Sequence, residues 1–345
     1  MSLKTEIMEQ PTVLQALLEN EMEKIAAIAE EIHARPVKYI FLAARGTSDH
    51  AGLYAKYLWG SANELPVALA APSLFSIYHK PPRLDNALVV AISQSGQSPD
   101  ILSVVTEGKR QNAPTLAITN DPGSPLAAAA DYLIDIRAGA EEAVAATKTY
   151  TAELMAIAML SVALRDADGR LAELGRVPSL IAETLELDDA IRRAAERYRY
   201  MEQCVVLGRG YNYATAYEWS LKLKELAYVV AEPYSSADFQ HGPVAIVDQG
   251  FPVLAVVPDG ALYDDLYRFL SKLVAERGVE LLAISNRPEL LALAHTPLRI
   301  PADLPEWISP LVCITAAQLF CYHLTRAKGY DTEHPRGLLK VTLTD

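Results

Sequence analysis

The sequence predicts an α/β protein made by internal duplication: two domains in tandem, each a parallel sheet with helices on both faces. Three observations predict it. Short apolar runs alternate with helical stretches, as in a sheet whose strands are buried on both sides. Three strand–turn–helix segments recur at a nearly constant offset of about 165 residues. A chain of 345 residues with 51% hydrophobic and 21% charged residues is globular and too long for one ordinary core.

Residues 3–33 read as helix, broken at Gln10-Pro11 and then resumed. The strand Tyr39 to Ala43 runs into Arg45-Gly46-Thr47-Ser48 and a helix. The strand Ala87 to Ile92 enters Ser93-Gln94-Ser95-Gly96-Gln97-Ser98 and another helix. APTLAITNDPGSPLAAAA repeats the theme, DYLIDI is a short strand, and residues 141–165 read as one long apolar helix. In the second copy QCVVLGRGYNYATAYEWSLKLKE matches the unit that begins at Tyr39. FPVLAVVPDG matches ALVVAISQSG, and VELLAISNRPELLALA matches APTLAITNDPGSPLAAA. The predicted division is an N-terminal helical segment (1–34), domain one (35–165), a charged linker (166–195), domain two (196–328) and a tail (329–345) carrying Lys340. A helix from Trp307 to Lys328 closes domain two.

The net charge of −12 argues against a nucleic-acid surface. It leaves room for a small anion, because helix N-termini and a few lysines make local positive sites. Cys204, Cys313 and Cys321 lack metal-ligand spacing and fit a reducing compartment. The start, MSLKTEIMEQP, turns polar at once, so no signal segment is expected. No apolar run reads as a membrane span. A cytoplasmic protein without metal or cofactor is expected.

Only the first copy keeps a hydroxyl-rich turn, SQSGQS; the second has VVPDG at that place. A turn leaving a parallel strand for a helix lies where open α/β sheets bind ligands, which makes SQSGQS a candidate phosphate cradle. The plainer reading is a capping turn, with Ser98 as N-cap and Asp100 in the first turn. Gly208-Arg209-Gly210 lacks the third glycine of a dinucleotide fingerprint. In SLKLKELAYVVAEPYSSADFQHGP, the residues Leu221, Leu223, Leu226, Ala227 and Val230 recur at helical spacing. Lys222 and Glu225 are three apart and share a face. His241 falls in a loop forced by Gly242-Pro243. A carboxylate, a lysine and an imidazole form a proton-transfer set; the alternative is a solvated helix and an ordinary loop. Glu141 and Glu142 read as the acidic start of a helix. Leu338, Leu339, Val341 and Leu343 make the tail apolar enough to pack back on the body, which could carry Lys340 into a pocket. His50, His79 and His323 read as structural.

These motifs resemble the SIS (sugar isomerase) domain, and within it the tandem-SIS isomerase half of glutamine–fructose-6-phosphate aminotransferase. TEIMEQP, ARGTS, SQSGQSPD, AITNDPGSPL, AVAATK, LKLKE, the stretch from Ala231 to Pro243, and PRGLLK fall in the family's order. The resemblance implies three-layer α/β/α domains. It implies that Thr47, Ser48, Ser93, Gln94, Ser95 and Ser98 hold a sugar phosphate and that Val144 packs on the sugar. Glu225 would move the proton between C1 and C2, with Lys222 in support. His241 would assist ring opening from a neighbouring subunit, which implies a homodimer. Lys340 would meet the open-chain carbonyl. Ala146 stands where the family has a small polar residue, and Ser98 where it has threonine.

The family's synthases carry an N-terminal glutaminase that starts with a nucleophilic cysteine. This chain opens at the isomerase half, and AEPYSSADFQHGP looks more like the stand-alone deaminases. The expected reaction is conversion of glucosamine 6-phosphate to fructose 6-phosphate and ammonia. A fructosamine-6-phosphate deglycase and an aldose–ketose phosphosugar isomerase are the near alternatives. A non-catalytic sugar-phosphate sensor is a further one, disfavoured by the retained Glu225, His241 and Lys340.

Overall fold

The computed structural model describes residues 2–165 and 169–340. Two compact units are present. The first comprises Thr12–Glu141, Lys148–Arg176 and Leu339–Asp345; the second comprises Met1–Pro11, Glu142–Thr147 and Val177–Leu338.

Helix α1 (Leu3–His33) runs unbroken through Pro11, contrary to the expected interruption. A proline offers no N–H to the carbonyl four residues back. Here the Gln10 carboxamide substitutes, donating to the Ile7 carbonyl at 2.8 Å. It also donates to Gln318 Oε1 at 3.0 Å, which fixes the side chain in that role.

The first unit continues with β1 (Tyr39–Ala43), α2 (Thr47–Ala62), β2 (Val67–Leu69), α3 (Ser73–Ser76), β3 (Ala87–Ile92), α4 (Pro99–Arg110), β4 (Thr115–Thr119), α5 (Pro125–Ala129), β5 (Tyr132–Asp135), α6 (Lys148–Leu164) and α7 (Arg170–Leu174). Its five strands are parallel, in the order β2-β1-β3-β4-β5. β3 and β4 are buried at every residue, which is why ALVVAI shows no polar alternation. Phe41, Val89, Ala91, Ile101, Val104 and Val105 form the core under α4. The other helices include α2 and α6, linked where Trp59 Nε1 donates to the Ile157 carbonyl at 3.1 Å.

The second unit holds α8 (Val177–Leu185), α9 (Asp188–Arg197), β6 (Gln203–Gly208), α10 (Tyr213–Ala227), β7 (Val230–Ser235), α11 (Ser236–Gln240), β8 (Pro252–Val256), α12 (Tyr263–Arg277), β9 (Glu280–Ser285), α13 (Pro288–Leu293), β10 (Thr296–Arg299) and α14 (Ser309–Ala327). Its parallel sheet has the order β10-β9-β8-β6-β7. Counted within each unit, both sheets follow the permutation 2-1-3-4-5. The duplication predicted from the sequence is therefore present in the topology.

Three expectations change here. Val230 belongs to strand β7, not to the preceding helix. Tyr228 takes the left-handed conformation (φ 54°) and stops α10, and Val230 is 61% exposed on the sheet edge. The segment Glu306–Ala327 is long and apolar enough to cross a membrane by composition, although no such run was expected. Its most apolar 18-residue stretch is wholly buried inside the protein, as in a core helix. The long apolar helix begins at Lys148, with residues 141–147 outside it.

His323 has a partner that the sequence did not suggest. Its Nε2 lies 2.7 Å from Asp188 Oδ1, and Lys4 Nζ lies 2.7 Å from Asp188 Oδ2. Burial holds the imidazole below its ordinary pKa, with Asp188 opposing. Burial by itself would raise the Asp188 carboxyl; the bonds from Lys4 and His323 outweigh it and bring the carboxyl below its usual range. Both groups thus take up a proton more readily when unfolded. The stability they contribute is complete above the unfolded histidine value of about 6.5 and is lost as pH falls. Urea midpoints should show the wild-type advantage over His323→Gln shrinking from pH 7.5 to pH 5. A difference that stays constant with pH would contradict the assignment.

Candidate active site

In the first unit the chain leaves β1 for β2 on one side of the sheet and enters β3 on the other. The carboxyl ends of β1 and β3 therefore mark the topological switch point, where such sheets bind ligands. Two turns emerge there, Ala44–Ser48 and Ser93–Ser98. Ser93 Oγ accepts from the Gly96 N–H at 3.1 Å, and Ser95 Oγ accepts from Gln97 N–H at 3.3 Å. Asn120 N–H donates to the Gln94 carbonyl, and Leu126 N–H to the Gly96 carbonyl. Gly96 has φ +60°, and a Cβ there would lie 2.2 Å from Ser124 Oγ, so no other residue fits. The AITNDPGSPL segment thus clamps the turn from outside. Among the described residues, the main-chain N–H groups of Gln94, Ser95 and Ser98 meet no acceptor. Ser98 is the N-cap of α4, yet its side chain makes no capping bond. Both features suit an anion at the start of α4.

Thr47 and Ser48 open α2. Gly46, ahead of them, has φ +54°. Ser48 is buried and gives its hydroxyl proton to Glu153 Oε1 at 2.8 Å. Its hydroxyl is therefore engaged inside the unit, while its main chain lies in the first helical turn.

The corresponding switch point of the second unit is closed from within. The Ala261 N–H donates to Glu306 Oε2 at 3.0 Å, and the Asp259 N–H to Asn286 Oδ1 at 2.7 Å. A Cβ on Gly260 would lie 2.3 Å from the Glu306 carboxyl carbon. The protein's own side chains occupy the place where an anion would sit.

Lys340 also belongs to the first unit. Its ammonium meets Glu141 Oε2 at 2.7 Å. The Glu141 side chain is fully buried and accepts from the Thr149 N–H at 3.1 Å and the Thr149 hydroxyl at 2.7 Å. Glu141 thus caps α6 from seven residues ahead of it while holding the tail lysine. Of the expected apolar contacts, Leu338 and Leu339 do not contribute, being 39% and 78% exposed; the described part of the tail is held by this ion pair and by the Arg336 N–H, which donates to the Tyr228 hydroxyl at 2.8 Å. Val341 and Leu343 lie outside the described residues.

In the second unit, α10 places Glu218, Lys222 and Glu225 on one stripe. Lys222 Nζ lies 2.6 Å from Glu225 Oε2 and 3.4 Å from Glu218 Oε1. The Glu218 and Lys222 side chains are 0% and 2% exposed, whereas Glu225 is 23% exposed. Stripping one partner from a buried pair costs about 3–5 kcal/mol. Glu218 therefore ties Lys222 in place, and Lys222 steadies a carboxylate that reaches the surface. Lys224, on the other side of α10, is exposed. His241 follows α11 as its C-cap residue and is exposed, with no hydrogen bond to its ring among the described residues.

Val144 lies in the loop Glu142–Thr147 of the second unit. The fully buried carboxylate of Glu6, on α1, accepts from Glu142 N–H at 2.5 Å and from Ala143 N–H at 3.3 Å. The Gln318 carboxamide donates to the Thr147 carbonyl at 3.3 Å. An Ala-rich stretch that could have been helix is held open by partners remote in sequence. Glu6 and Glu141 are the residues that sequence reasoning missed as parts of the site. Glu6 sits within TEIMEQP, which was the available signal. For Glu141 the local signal was an acidic helix start, which its cap on α6 fulfils; its contact with Lys340 had no local signal. Among the described residues no group of three or more His, Cys, Asp or Glu side chains is placed to hold a metal.

Comparison with known proteins gives a consistent result. The family model for the SIS domain matches twice, over residues 35–163 and 199–326. The glutamine–fructose-6-phosphate aminotransferase [isomerizing] of Thermococcus kodakarensis is 36% identical over 97% of this chain and 56% of its own. That of Thermus thermophilus is 35% identical over 97% of this chain and 57% of its own. The chain thus spans about half the length of these curated relatives. The solved C-terminal domain of glucosamine-fructose-6-phosphate aminotransferase from Francisella tularensis superposes with a TM-score of 0.88. It is 31% identical, with 96% of this chain and 98% of that one covered.

Proposed function

The chain belongs to the SIS-domain family, and we propose that it is a sugar-phosphate enzyme that converts glucosamine 6-phosphate to fructose 6-phosphate and ammonia. The observation that carries this reading is the Lys222–Glu225 pair, a partly exposed carboxylate held 2.6 Å from a buried ammonium. Such a carboxylate is a base that keeps one position through a proton transfer. The turn Ser93–Ser98, with its amides and hydroxyls at the switch point, supports a phosphorylated substrate.

The proposed sequence begins with ring opening, assisted by His241. Glu225 then takes the proton from C2 and returns it to C1, while the C1 oxygen gains a proton and the nitrogen loses one, turning the amino-aldehyde into a 2-imino sugar with a C1 hydroxyl. Water adds to the imine carbon, ammonia leaves with the nitrogen, and the ketone of fructose 6-phosphate remains. No external oxidant or reductant is needed, because C1 is reduced as C2 is oxidised. Ser93, Gln94, Ser95, Ser98, Thr47 and Ser48 are assigned to the phosphate and Val144 to the sugar face. Lys340, held by Glu141, is assigned to the open-chain carbonyl. The resemblance of AEPYSSADFQHGP to stand-alone deaminases favours ammonia release over the synthetic direction. Three cysteines, each fully buried with its thiol held protonated by burial, suit a cytoplasmic setting.

Incubation with glucosamine 6-phosphate should release ammonia and fructose 6-phosphate in equal amounts. Turnover of a glycated amine phosphate with no ammonia from glucosamine 6-phosphate would transfer the assignment to a deglycase. We also propose a homodimer in which His241 serves the neighbouring subunit; its exposed ring is available for that. Light scattering should give about twice the mass of one chain, and a fully active monomer would refute the arrangement.

A further inference from the structure

We propose that Arg45 is a specificity-determining residue for phosphorylated substrates, oriented by the buried carboxylate of Asp100. This rests on the reading of the chain as a sugar-phosphate enzyme. Arg45 lies in the turn after β1, and Asp100 in the first turn of α4. Arg45 Nε donates to Asp100 Oδ2 at 2.7 Å. Asp100 is fully buried and its other oxygen accepts from the Ile101 N–H at 2.9 Å. The bond therefore ties the turn after β1 to the first turn of α4 and fixes the plane of the guanidinium beside the start of that helix.

Only one edge of that guanidinium is used. Among the described residues the η nitrogens of Arg45 make no hydrogen bond, and the side chain is 49% exposed. A guanidinium held at Nε presents its remaining N–H groups in the geometry that meets two phosphoryl oxygens. Arg45 is the only lysine or arginine in residues 44–50 and 93–100. The hydroxyls and amides of the Ser93–Ser98 turn can bond an anion but carry no net positive charge. A phosphate dianion placed there finds its formal counter-charge in Arg45. Being remote from the proton transferred at C1 and C2, Arg45 should act on binding more than on the chemical step.

The rival reading makes Arg45 a counter-ion for Asp100 and nothing more. Three variants separate the two, read by calorimetry with inorganic phosphate and by steady-state kinetics with glucosamine 6-phosphate. Arg45→Gln should weaken phosphate binding by roughly tenfold or more and raise KM in proportion, with kcat little changed. Arg45→Lys should recover part of the affinity, since it keeps the charge without the fork. The double variant R45Q/D100N replaces the ion pair with a neutral carboxamide pair and should remain as weak as R45Q. Recovery of wild-type phosphate affinity in the double variant would overturn the proposal, as would unchanged affinity in R45Q. A wild-type chain that binds phosphate through Arg45 but turns over no glucosamine 6-phosphate would refute the proposed reaction and uphold the role of Arg45.

Discussion

Main-chain N–H groups at the carboxyl edge of a parallel sheet need acceptors, and the two halves of this chain meet that need differently. In the second unit the acceptors are built in: Glu306 takes the Ala261 N–H and Asn286 takes the Asp259 N–H. In the first unit the amides of Gln94, Ser95 and Ser98 meet none among the described residues. An unsatisfied buried amide costs about 1–3 kcal/mol. A half-exposed turn avoids that cost through water, and an anion can take the water's place. One topology used twice has thus given one closed switch point and one open one. Gly96 keeps the open one in shape, since any side chain there would strike Ser124.

Buried carboxylates organise the remainder. Glu6 holds the Glu142–Thr147 loop out of helix, Glu141 holds Lys340, Glu218 holds Lys222, and Asp100 holds Arg45. In the last three the acid is at most 2% exposed and its cationic partner is the more accessible of the two. Because a buried acid cannot be left alone, the cation it pairs with is confined to one place. The acids set the positions; the groups assigned to substrate are their partners, or, for Glu225, a partner's partner.

The duplication was legible because it is written in periodicity. Buried parallel strands read as unbroken apolar runs, and three of them recur in register. The Lys222–Glu225 contact was legible because helical spacing alone brings them together. What failed to show was set by partners distant in the chain. The open form of the Glu142–Thr147 loop depends on Glu6, and the repair of α1 at Pro11 depends on a side chain whose position Gln318 secures. Strand β7 was hidden because LAYVVA continues the helical pattern, and only the left-handed turn at Tyr228 ends it. The tail misled in the other direction: its apolar residues suggested packing, whereas Leu338 and Leu339 are exposed and polar contacts at Glu333, Arg336 and Lys340 hold its described part.

Central to the proposed function is the assignment of Glu225 as the base that carries a proton between C1 and C2 of a sugar phosphate. Fructose 6-phosphate incubated with the protein in deuterium oxide and followed by proton NMR tests this apart from any release of ammonia. The wild-type chain should exchange a C1 hydrogen for deuterium. Glu225→Gln should bind the sugar phosphate and exchange none. Exchange at the wild-type rate in E225Q would contradict the assignment.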